Sequence, residues 1–466
     1  MSKLITNTIR HVDGTADNIT LDSSQNVTVE GNATVDGTST LTGNVTASGN
    51  LTVDGTSTLT GNVTCSGQLK ASALRHTGAS SDAVTLASDG TCTAKITNRS
   101  NRNLIVNGAM QIAQRGSSDT STNLITTVDR WTMSAGGQEE NLTRSQESLS
   151  SSDTGPYEKG FRNAWKIQNG NQTGGADASG YIIPQYAIEA QDLANSGWNY
   201  KSATSYITLS FWVKSSVAQT FYGFLRSDDG TSQAYSFSYA LSANTWTKVT
   251  KTIPGLASGN IDIANDNGNG LSMMLPVFLG TDRTDAGNTE DTWAAYSGGS
   301  RTKNWDTSNS SWYNTNDATW HLTGVQLEAG DVATDFEHRS YGDELVRCQR
   351  YYQRFGNAVN GYNINNLYCM GHSASAVEII PSFPVAWRAL PTATLEGTLT
   401  VRGCNDSNSD TNVTLSGQDF RTGNHVAGAS GHLWVAPASG SPFISGTVGR
   451  LYAGSTWAAV VFDAEL

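Results

Sequence analysis

The feature that most constrains this chain is a run of glycines spaced six residues apart near its N-terminus. The glycines from Gly31 to Gly67 keep this spacing without a break, and the stretch VDGTSTLTGNVT occurs twice without a change. Small or aliphatic residues stand four and two positions before most of these glycines, as Leu51 and Val53 do before Gly55. Residues two apart lie on one face of an extended strand, so each hexad predicts a short strand that ends in a glycine turn.

This repeat has too little apolar volume to fold by itself. Trp, Tyr, Phe and Pro occur only after residue 100, so the preceding segment cannot form a core of the usual kind. A single chain would make a thin stack of coils roughly 4.8 Å apart, whereas three intertwined chains would make a rod of roughly 35 Å with a shared core. We therefore predict a trimeric β-prism, or triple-stranded β-helix, shaft over residues 27–72. The alternative is a low-complexity linker, which does not require glycines in phase.

A second repeat flanks the predicted shaft at a constant offset of 65 residues. The matching sets are Ile9-Arg10-His11, Asp17 and Ile19-Thr20-Leu21, and Leu74-Arg75-His76, Asp82 and Val84-Thr85-Leu86. The match predicts one small β unit on each side of the shaft, in an N-terminal attachment segment over residues 1–26 and a β connector over residues 73–102. His11 and His76 could suggest a metal site, but beyond Asp13 no ligand type stands at a suitable spacing, which favours packing or turn formation.

Charge and cysteine usage narrow the class of partner. Lys and Arg number 29 against 41 Asp and Glu, a net charge of −12, and the basic residues form no cluster. Nucleic acid and anionic membranes require a concentrated positive patch, so neither is an expected partner. The N-terminus lacks an apolar signal segment, no stretch suits a membrane span, and the five cysteines show no disulfide framework. These features predict assembly in a cytoplasm without membrane insertion.

Beyond residue 102 the pattern changes to alternating strands. SYITLSFWVKSS at residues 205–216, TWTKVTKTIP at 245–254 and TWHLTGVQLE at 319–328 are typical of strands joined by loops rich in Gly, Ser and Asn. Many short strands with little helical periodicity predict a jelly-roll β-sandwich over residues 103–340. Three tryptophans in strand patterns are predicted to lie in its core: Trp131, Trp212 and Trp320.

Several motifs resemble the globular region of bacteriophage virion fibre proteins. They are NLIVNGAMQIAQRG (Asn103–Gly116), VDRW (Val128–Trp131), GVQLEAGDVATDFEHRSYGDELVRCQRYY (Gly324–Tyr352), PTATL (Pro391–Leu395) and the terminal FDAEL. Together with the hexads they are similar to tail-fibre and other fibre proteins of phages of cyanobacteria and marine bacteria, over nearly the whole chain. The strand order also resembles carbohydrate-binding-module jelly rolls. The resemblance implies a homotrimeric virion protein that docks on a tail or capsid protein through its N-terminus.

A long aromatic loop is the candidate binding site for host surface polysaccharide. Residues 280–317 lack a convincing strand, which is unusual for a loop without a function. Aromatic rings can stack on the apolar faces of sugars while amides and carboxylates bind hydroxyl groups. The candidate carbohydrate-binding residues are Trp293, Tyr296, Trp305, Asp306, Trp312 and Tyr313. The alternative is that these rings only pack the loop against the sandwich or between subunits.

The last part of the chain predicts a short helix followed by a further β domain. Leu345, Cys348 and Tyr352 fall at helical spacing, and residues 355–466 alternate again between Gly-rich hairpin loops. We predict a smaller C-terminal β-sandwich over residues 341–466, whose exposed loops are places for recognition. The secondary receptor-contact candidates, each with a structural alternative, are Tyr362, His425, His432 and Trp434.

Enzymatic and metal-binding motifs are weak in this sequence. The carboxylate pairs are Glu139/Glu140, Asp228/Asp229 and Glu290/Asp291, and adjacent residues on a strand point to opposite faces. Cys369 and His372 could form half a zinc site, but no second half follows. NDNGNG at residues 265–270 could hold Ca²⁺, although an ordinary turn is the favoured interpretation. We predict no catalytic residues, no metal and no cofactor.

The sequence therefore predicts a structural fibre of a bacteriophage virion, a tail fibre whose C-terminal β domains contact host surface glycan. A capsid-mounted fibre or decoration protein is the alternative within this class. A glycan-degrading tailspike is the alternative from another class, and release of reducing ends from purified polysaccharide would distinguish it. A secreted bacterial adhesin is a third interpretation.

Overall fold

A computed structural model describes the chain as two compact units, Met1–Ala94 and Lys95–Leu466. Strands dominate both units, which confirms the predicted all-β class. None of the helices among the described residues is long and apolar enough to cross a membrane. The described residues are 8–9, 19–21, 27–29, 52, 70–74, 83–86, 88–90, 92–94, 101–120, 127–172, 177–258, 260–305, 311–357, 363–379, 381–404, 411–419, 432–437 and 442–466.

The first unit contains two small antiparallel sheets of the same design. One sheet consists of β1 (Thr8–Ile9), β2 (Ile19–Leu21) and β3 (Val27–Val29), and the other of β4 (Ala73–Leu74), β5 (Val84–Leu86) and β6 (Cys92–Ala94). Each strand of the second sheet follows its counterpart by 65 residues, and in both sheets the middle strand pairs with the other two. The predicted internal repeat is confirmed, but β3 extends its first copy beyond residue 26, into the segment predicted as shaft.

These two sheets form no core of their own. Leu74 is 48% exposed, and Val29 and Leu86 are each 40% exposed. None of the described residues of this unit for which exposure is given is buried. Of the predicted shaft, the structure describes only Val27–Val29, Thr52 and residues 70–72, and both repeated histidines lie outside the described residues, so the trimeric shaft stays a prediction.

The second unit begins with an antiparallel β-sandwich. Its six-stranded sheet contains β7 (Ser118–Asp119), β9 (Thr143–Ser148), β10 (Asn163–Gln168), β12 (Tyr206–Ser215), β15 (Thr247–Pro254) and β19 (Thr319–Ala329), in the order β15-β12-β19-β10-β9-β7. Its seven-stranded sheet contains β8 (Thr132–Gly136), β11 (Tyr181–Glu189), β13 (Gln219–Ser227), β14 (Gln233–Leu241), β16 (Asn269–Met274), β17 (Phe278–Leu279) and β18 (Trp293–Ala295), in the order β17-β11-β16-β13-β14-β18 with β8 also paired to β11. A short helix α1 (Ala190–Ala194) follows β11.

Alternating side chains of both sheets form one shared core. Phe211 of β12 and Tyr239 of β14 meet edge to face, with ring centroids 5.6 Å apart. Trp131 and Trp320 are 1% and 0% exposed in this core, as predicted. Such burial of large rings between two sheets is the main stabilising contribution in a sandwich. The two facing sheets confirm the predicted β-sandwich fold of this region.

The predicted helix after the sandwich is confirmed as α2 (Tyr341–Gln349), but Tyr352, one of the three residues at helical spacing, lies beyond its end and begins the next strand. Ser340 caps α2, because its side chain accepts a hydrogen bond from the Asp343 N–H at 3.1 Å. Cys348 is 0% exposed and packs with Val106 and Ile112, which precede the first strand of the sandwich. The helix therefore lies against the sandwich, and the predicted boundary at residues 340/341 falls at its N-cap.

The C-terminal region is a single closed sheet, which corrects the prediction of a second sandwich. Its strands are β20 (Tyr352–Asn357), β21 (Asn363–Ser373), β22 (Ala376–Ile379), β23 (Thr392–Arg402), β24 (Thr411–Asp419), β25 (His432–Pro437) and β26 (Val448–Asp463). The order is β20-β26-β21-β22-β25-β24-β23, and β26 pairs with β23 as well. The length of β26, 16 residues, lets it pair with β21 and β20 on one side and with β23 on the other. Closure removes exposed sheet edges.

The motifs that carry the family resemblance meet between the sandwich and the closed sheet. The guanidinium group of Arg130, in VDRW, lies 3.5 Å from the ring centroid of Tyr351 and forms an ion pair with Glu465 of the terminal FDAEL. Arg115, in the first motif, lies 3.5 Å from the ring centroid of Tyr352, and its Nη2 is 3.4 Å from Glu465 Oε1. These distant motifs therefore form a scaffold that joins the two domains.

A buried carboxyl group gives this junction a pH dependence. Asp129 is 0% exposed, and burial raises its pKa from 3.8 to about 6 despite opposing effects of Arg115 and Gln114. Because the folded protein holds this proton more tightly than the unfolded chain, ionisation costs about 3 kcal/mol of stability as the pH rises from about 4 to 6. We expect the free energy of unfolding of the wild type, relative to Asp129→Asn, to fall by this amount between about pH 4 and pH 7. A constant difference in chemical denaturation over that range would contradict the assignment.

Candidate functional site

Trp212 forms an aromatic platform on the outer face of the six-stranded sheet. Ile207, Leu209, Phe211 and Val213 of β12 are all 0% exposed and face the core. Trp212 lies between two of them in sequence, so its side chain points to the opposite face, where it is half-buried. The prediction that Trp212 is a core residue is therefore wrong. The alternation of its own strand was the sequence signal that could have placed it correctly.

Three more rings stand beside this platform. The ring centroids of Phe161 and Phe336 are 4.8 Å apart, and that of His338 lies 5.0 Å from Phe161 and 4.9 Å from Phe336. Gly324 in β19 adopts a φ of +62°, and a Cβ there would lie 2.6 Å from the Phe161 ring. A glycine at this position therefore lets the ring cluster sit directly on the sheet.

An open groove of about 380 Å³ runs between the platform and the ring cluster. It is lined by Glu158, Lys159, Phe161, Ser210, Trp212, Lys248, Gly324, Asp335, Phe336 and His338. Lys248 stands directly opposite Trp212 in the pairing of β12 with β15. Lys248, Lys159, Glu158 and Asp335 are exposed and form no ion pair within the described residues. The groove thus combines apolar ring faces with donors and acceptors that are free to bind a ligand.

A neighbouring ion pair holds one wall of the groove in place. Asp153 Oδ1 accepts hydrogen bonds from Trp246 Nε1 and Lys214 Nζ, both at 2.9 Å. Burial acts to raise the pKa of Asp153, but these two hydrogen bonds outweigh it and hold the pKa well below its usual range. The carboxylate therefore stays ionised at neutral pH and ties the loop that contains Glu158 to the sheet.

The aromatic residues predicted to bind carbohydrate are mostly buried. Trp312 and Tyr313 are 0% and 1% exposed, and Tyr313 stacks on Phe278 with centroids 4.1 Å apart. Trp293 and Trp305 are 9% and 8% exposed. These four rings offer no open face to a sugar ring, which corrects the expectation that they are accessible. Their burial agrees with the alternative that the loop packs against the sandwich.

Tyr296 and Asp306 are the other two predicted carbohydrate-binding residues. Tyr296 is half-buried on the outer face of the seven-stranded sheet, where it stacks on Phe224 with centroids 6.3 Å apart. Asp306 lies outside the described residues. The structure does not bring Tyr296 into the groove on the opposite sheet. Its role in binding stays a prediction.

The secondary receptor-contact candidates lie in the closed sheet or its loops. Tyr362 and His425 lie outside the described residues, as does the side chain of His432 at the start of β25. Trp434, also in β25, is half-buried, and the ring of His372 meets it edge to face with centroids 4.1 Å apart. Contact of this set with a receptor stays a prediction.

The sequence patterns that could suggest metal binding have other structural roles. Cys369 is buried with its Sγ 3.6 Å from Cys404 Sγ, whereas His372 is exposed against a tryptophan ring. In NDNGNG, Asp266 Oδ1 accepts the Gly268 N–H at 2.8 Å, which forms a local turn before β16. Among the residues that the structure describes, no three His, Cys, Asp or Glu side chains cluster in a way that could hold a metal ion.

Comparison with known proteins gives only distant structural similarities. No protein-family model matches the chain, and no curated protein is significantly similar to it. A tailspike domain of bacteriophage CBA120 superimposes with 12% identity and a TM-score of 0.27, covering 49% of this chain and 21% of the tailspike chain. A putative sugar-binding protein from Bacteroides thetaiotaomicron has 10% identity and a TM-score of 0.25, covering 49% and 100%. A CBM4 structure has 11% identity and a TM-score of 0.24, covering 48% and 98%. Similarities this low assign neither a function nor residue roles.

Proposed function

We propose that this chain is a structural fibre of a bacteriophage virion, specifically a tail fibre, whose β-sandwich binds polysaccharide on the host surface. The groove on the six-stranded sheet is the observation that carries the binding role. Half-buried Trp212 and Phe336 present apolar surface there, and exposed charged side chains surround it. A sugar ring has apolar faces and a rim of hydroxyl groups, so it matches this combination.

The first unit supports the proposal of a homotrimer. Its two sheets expose apolar residues such as Leu74, and none of the residues whose exposure the structure describes is buried there. Isolated three-stranded sheets without a buried face are not stable in water, so they require additional surface to pack against. Partner chains in the predicted shaft would supply that surface, as they would supply the core of the hexads. The virion location and the docking of the N-terminus on a tail protein rest on the family resemblance.

A homotrimer would carry three identical sandwiches, so binding at each groove can be weak. If each groove binds a glycan weakly, with a dissociation constant of roughly 1 mM, three linked grooves would gain about 10²- to 10⁴-fold in avidity. The net charge of −12 disfavours nonspecific attachment to acidic cell surfaces and leaves selectivity to the binding sites.

Two alternatives fit parts of these observations. A capsid-mounted fibre would use the same groove, and the location of the protein on particles, seen with a specific antibody, distinguishes it from a tail fibre. A glycan-degrading tailspike is the second candidate, because two carboxylates, Glu158 and Asp335, line the groove. Release of reducing ends from a bound polysaccharide, lost in Glu158→Gln, would establish the enzyme in place of the adhesin.

Substitution of the platform tryptophan tests the binding role. We expect Trp212→Ala to weaken the binding of the full-length protein to its bacterial polysaccharide by about 30-fold, because the loss of a central aromatic contact costs about 2 kcal/mol. An array of bacterial surface glycans would identify the ligand, and affinity electrophoresis would measure its binding.

Tyr368→Ala is the matched control, because Tyr368 is an aromatic residue 63% exposed in the closed sheet. It should bind the glycan like the wild type. Thermal unfolding of Trp212→Ala checks that its sandwich is still folded. Equal binding by both variants, or no glycan bound by the wild type, would show that the groove is not a glycan site.

A further inference from the structure

A second group of cationic and aromatic side chains lies on the outer face of the seven-stranded sheet. The loop between β17 and β19 returns on itself there, and its two arms run side by side. The Arg301 N–H donates to the Arg283 carbonyl oxygen at 3.0 Å, and the Asp285 N–H donates to the Thr302 carbonyl oxygen at 3.0 Å. This backbone pairing places Arg283 and Arg301 next to each other.

Tyrosine rings on the sheet support these arginines. The guanidinium group of Arg283 lies 4.3 Å from the ring centroid of Tyr181, at the start of β11. The guanidinium group of Arg226, on β13, lies 5.1 Å from the ring centroid of Tyr296. Cation–π contacts of this kind hold a guanidinium group in place while leaving its N–H groups available.

Two of the three guanidinium groups have no counter-ion among the residues that the structure describes. Arg226 Nε donates to Asp228 Oδ1 at 2.7 Å, so its charge is neutralised. Arg283 and Arg301 form no ion pair within the described part of the chain, and Arg301 Nε is shielded from water with no acceptor there. Burial lowers the pKa of Arg301, Tyr296 opposes this, and the positive charges of Arg283 and Arg226 lower the pKa further. A half-buried cation beside other cations is destabilised unless an anion joins it.

The described acidic residues of the same loop do not supply that anion. Asp282 and Asp285 flank Arg283 and are exposed, but neither lies within ion-pair distance of the two arginines. Asp285 Oδ1 accepts the Gly287 N–H at 2.8 Å. Glu290 pairs with Lys303, whose Nζ lies 3.4 Å from Glu290 Oε1. Among the residues that the structure describes, no carboxylate neutralises this pair of guanidinium groups, which leaves their donors open to an external anion.

We propose that Arg283 and Arg301 bind an oxyanion, the carboxylate or sulfate group of an acidic polysaccharide, with its sugar ring near Tyr296. Two neighbouring guanidinium groups offer several N–H donors to one oxyanion, the arrangement in which charge-assisted hydrogen bonds are strongest. This inference rests on the proposed function in that its ligand is a host glycan. It adds that the glycan is acidic and that the sandwich recognises charge on the sheet opposite the groove.

Paired neutral and sulfated polymers test this site on the full-length protein. We expect dextran sulfate to bind and unmodified dextran to bind at least tenfold more weakly in isothermal titration. Arg283→Gln and Arg301→Gln should each weaken dextran sulfate binding at least tenfold. The matched control is Lys303→Gln, which removes one positive charge from the same loop but from an already paired side chain, and its effect should be below twofold.

Further measurements distinguish an anionic glycan from a free anion, and distinguish this proposal from the proposed function. Inorganic sulfate that binds the wild type as tightly as dextran sulfate does, and binds neither arginine variant, supports the site but identifies a free oxyanion as its ligand. Arg301→Lys keeps the charge and checks that weakened binding does not reflect misfolding. Equal weakening by Lys303→Gln and both arginine variants would overturn the inference. If the proposed glycan function is wrong but this site is right, the wild type will bind no neutral glycan and will still bind sulfate through Arg283 and Arg301.

Discussion

Replacement of Arg130 with methionine is expected to lower the free energy of unfolding by about 3–5 kcal/mol, the usual cost of removing one member of a buried ion-pair network. Arg130 is 3% exposed, its Nη1 pairs with Glu465, and its Nη2 donates to the Ala187 carbonyl oxygen at 2.7 Å. Its charge also lies over the ring of Tyr351 at 3.5 Å. Methionine keeps most of the apolar volume and removes all of these contacts.

A double-mutant cycle isolates the ion pair in this prediction. Glu465→Gln alone should also destabilise the protein, because Glu465 is the shared partner of Arg115 and Arg130. The double variant should lose at least about 1 kcal/mol less than the sum of the single losses. Arg162→Met is the control, since Arg162 is exposed over a tyrosine ring at 4.0 Å and should cost below about 1 kcal/mol. Guanidinium denaturation followed by tryptophan fluorescence measures the wild type and all four variants, and strict additivity of the two single losses would contradict a coupled pair.

Local patterns predicted the individual elements of the sandwich well. Alternation placed strands at residues 205–216, 245–254 and 319–328, and β12, β15 and β19 occupy those segments. Helical spacing likewise predicted α2. These elements each bury one face against a large core, so their periodicity is a direct record of which side chains face inward.

The candidate groove could not be predicted because it depends on contacts between distant segments. Phe161, Trp212 and Phe336 come from three parts of the chain, and only the folded sheet brings them together. Aromatic density in the loop at residues 280–317 pointed instead to Trp312 and Tyr313, which are buried. Aromatic residues in a long loop serve equally as the anchors that hold the loop on its sheet, and sequence alone does not separate the two uses.

The closure of the C-terminal sheet could not be predicted from local patterns for a similar reason. A strand that alternates inward and outward residues fits a sandwich and a closed sheet equally well. The difference lies in the pairing of β26 with β23, which joins residues about sixty positions apart in sequence. The motifs that carry the family resemblance also lie far apart in sequence, and they meet around Arg130 and Glu465.

The proposed trimer predicts a large loss of avidity when its shaft is disrupted. Leu51 occupies a predicted inward position, so Leu51→Asp would place three like charges at one level of a narrow apolar core, an arrangement that costs several kcal/mol. We expect light scattering to show a trimer for the wild type and a monomer for this variant. Binding to a glycan-coated surface should fall by about 10²- to 10⁴-fold, because only single-site affinity remains.

Thr52→Asp is the control that separates position from charge. It adds the same charge one residue later, at a position that is exposed and predicted to face solvent. This variant should stay trimeric and keep the avidity of the wild type, and the thermal unfolding of the sandwich should be unchanged in both variants because Lys95–Leu466 forms a compact unit of its own. Dissociation by both substitutions would mean that the segment has no inward face. A monomeric wild type would remove the physical basis for the shared core, since the exposed apolar residues of the first unit would then have no partner chain to cover them.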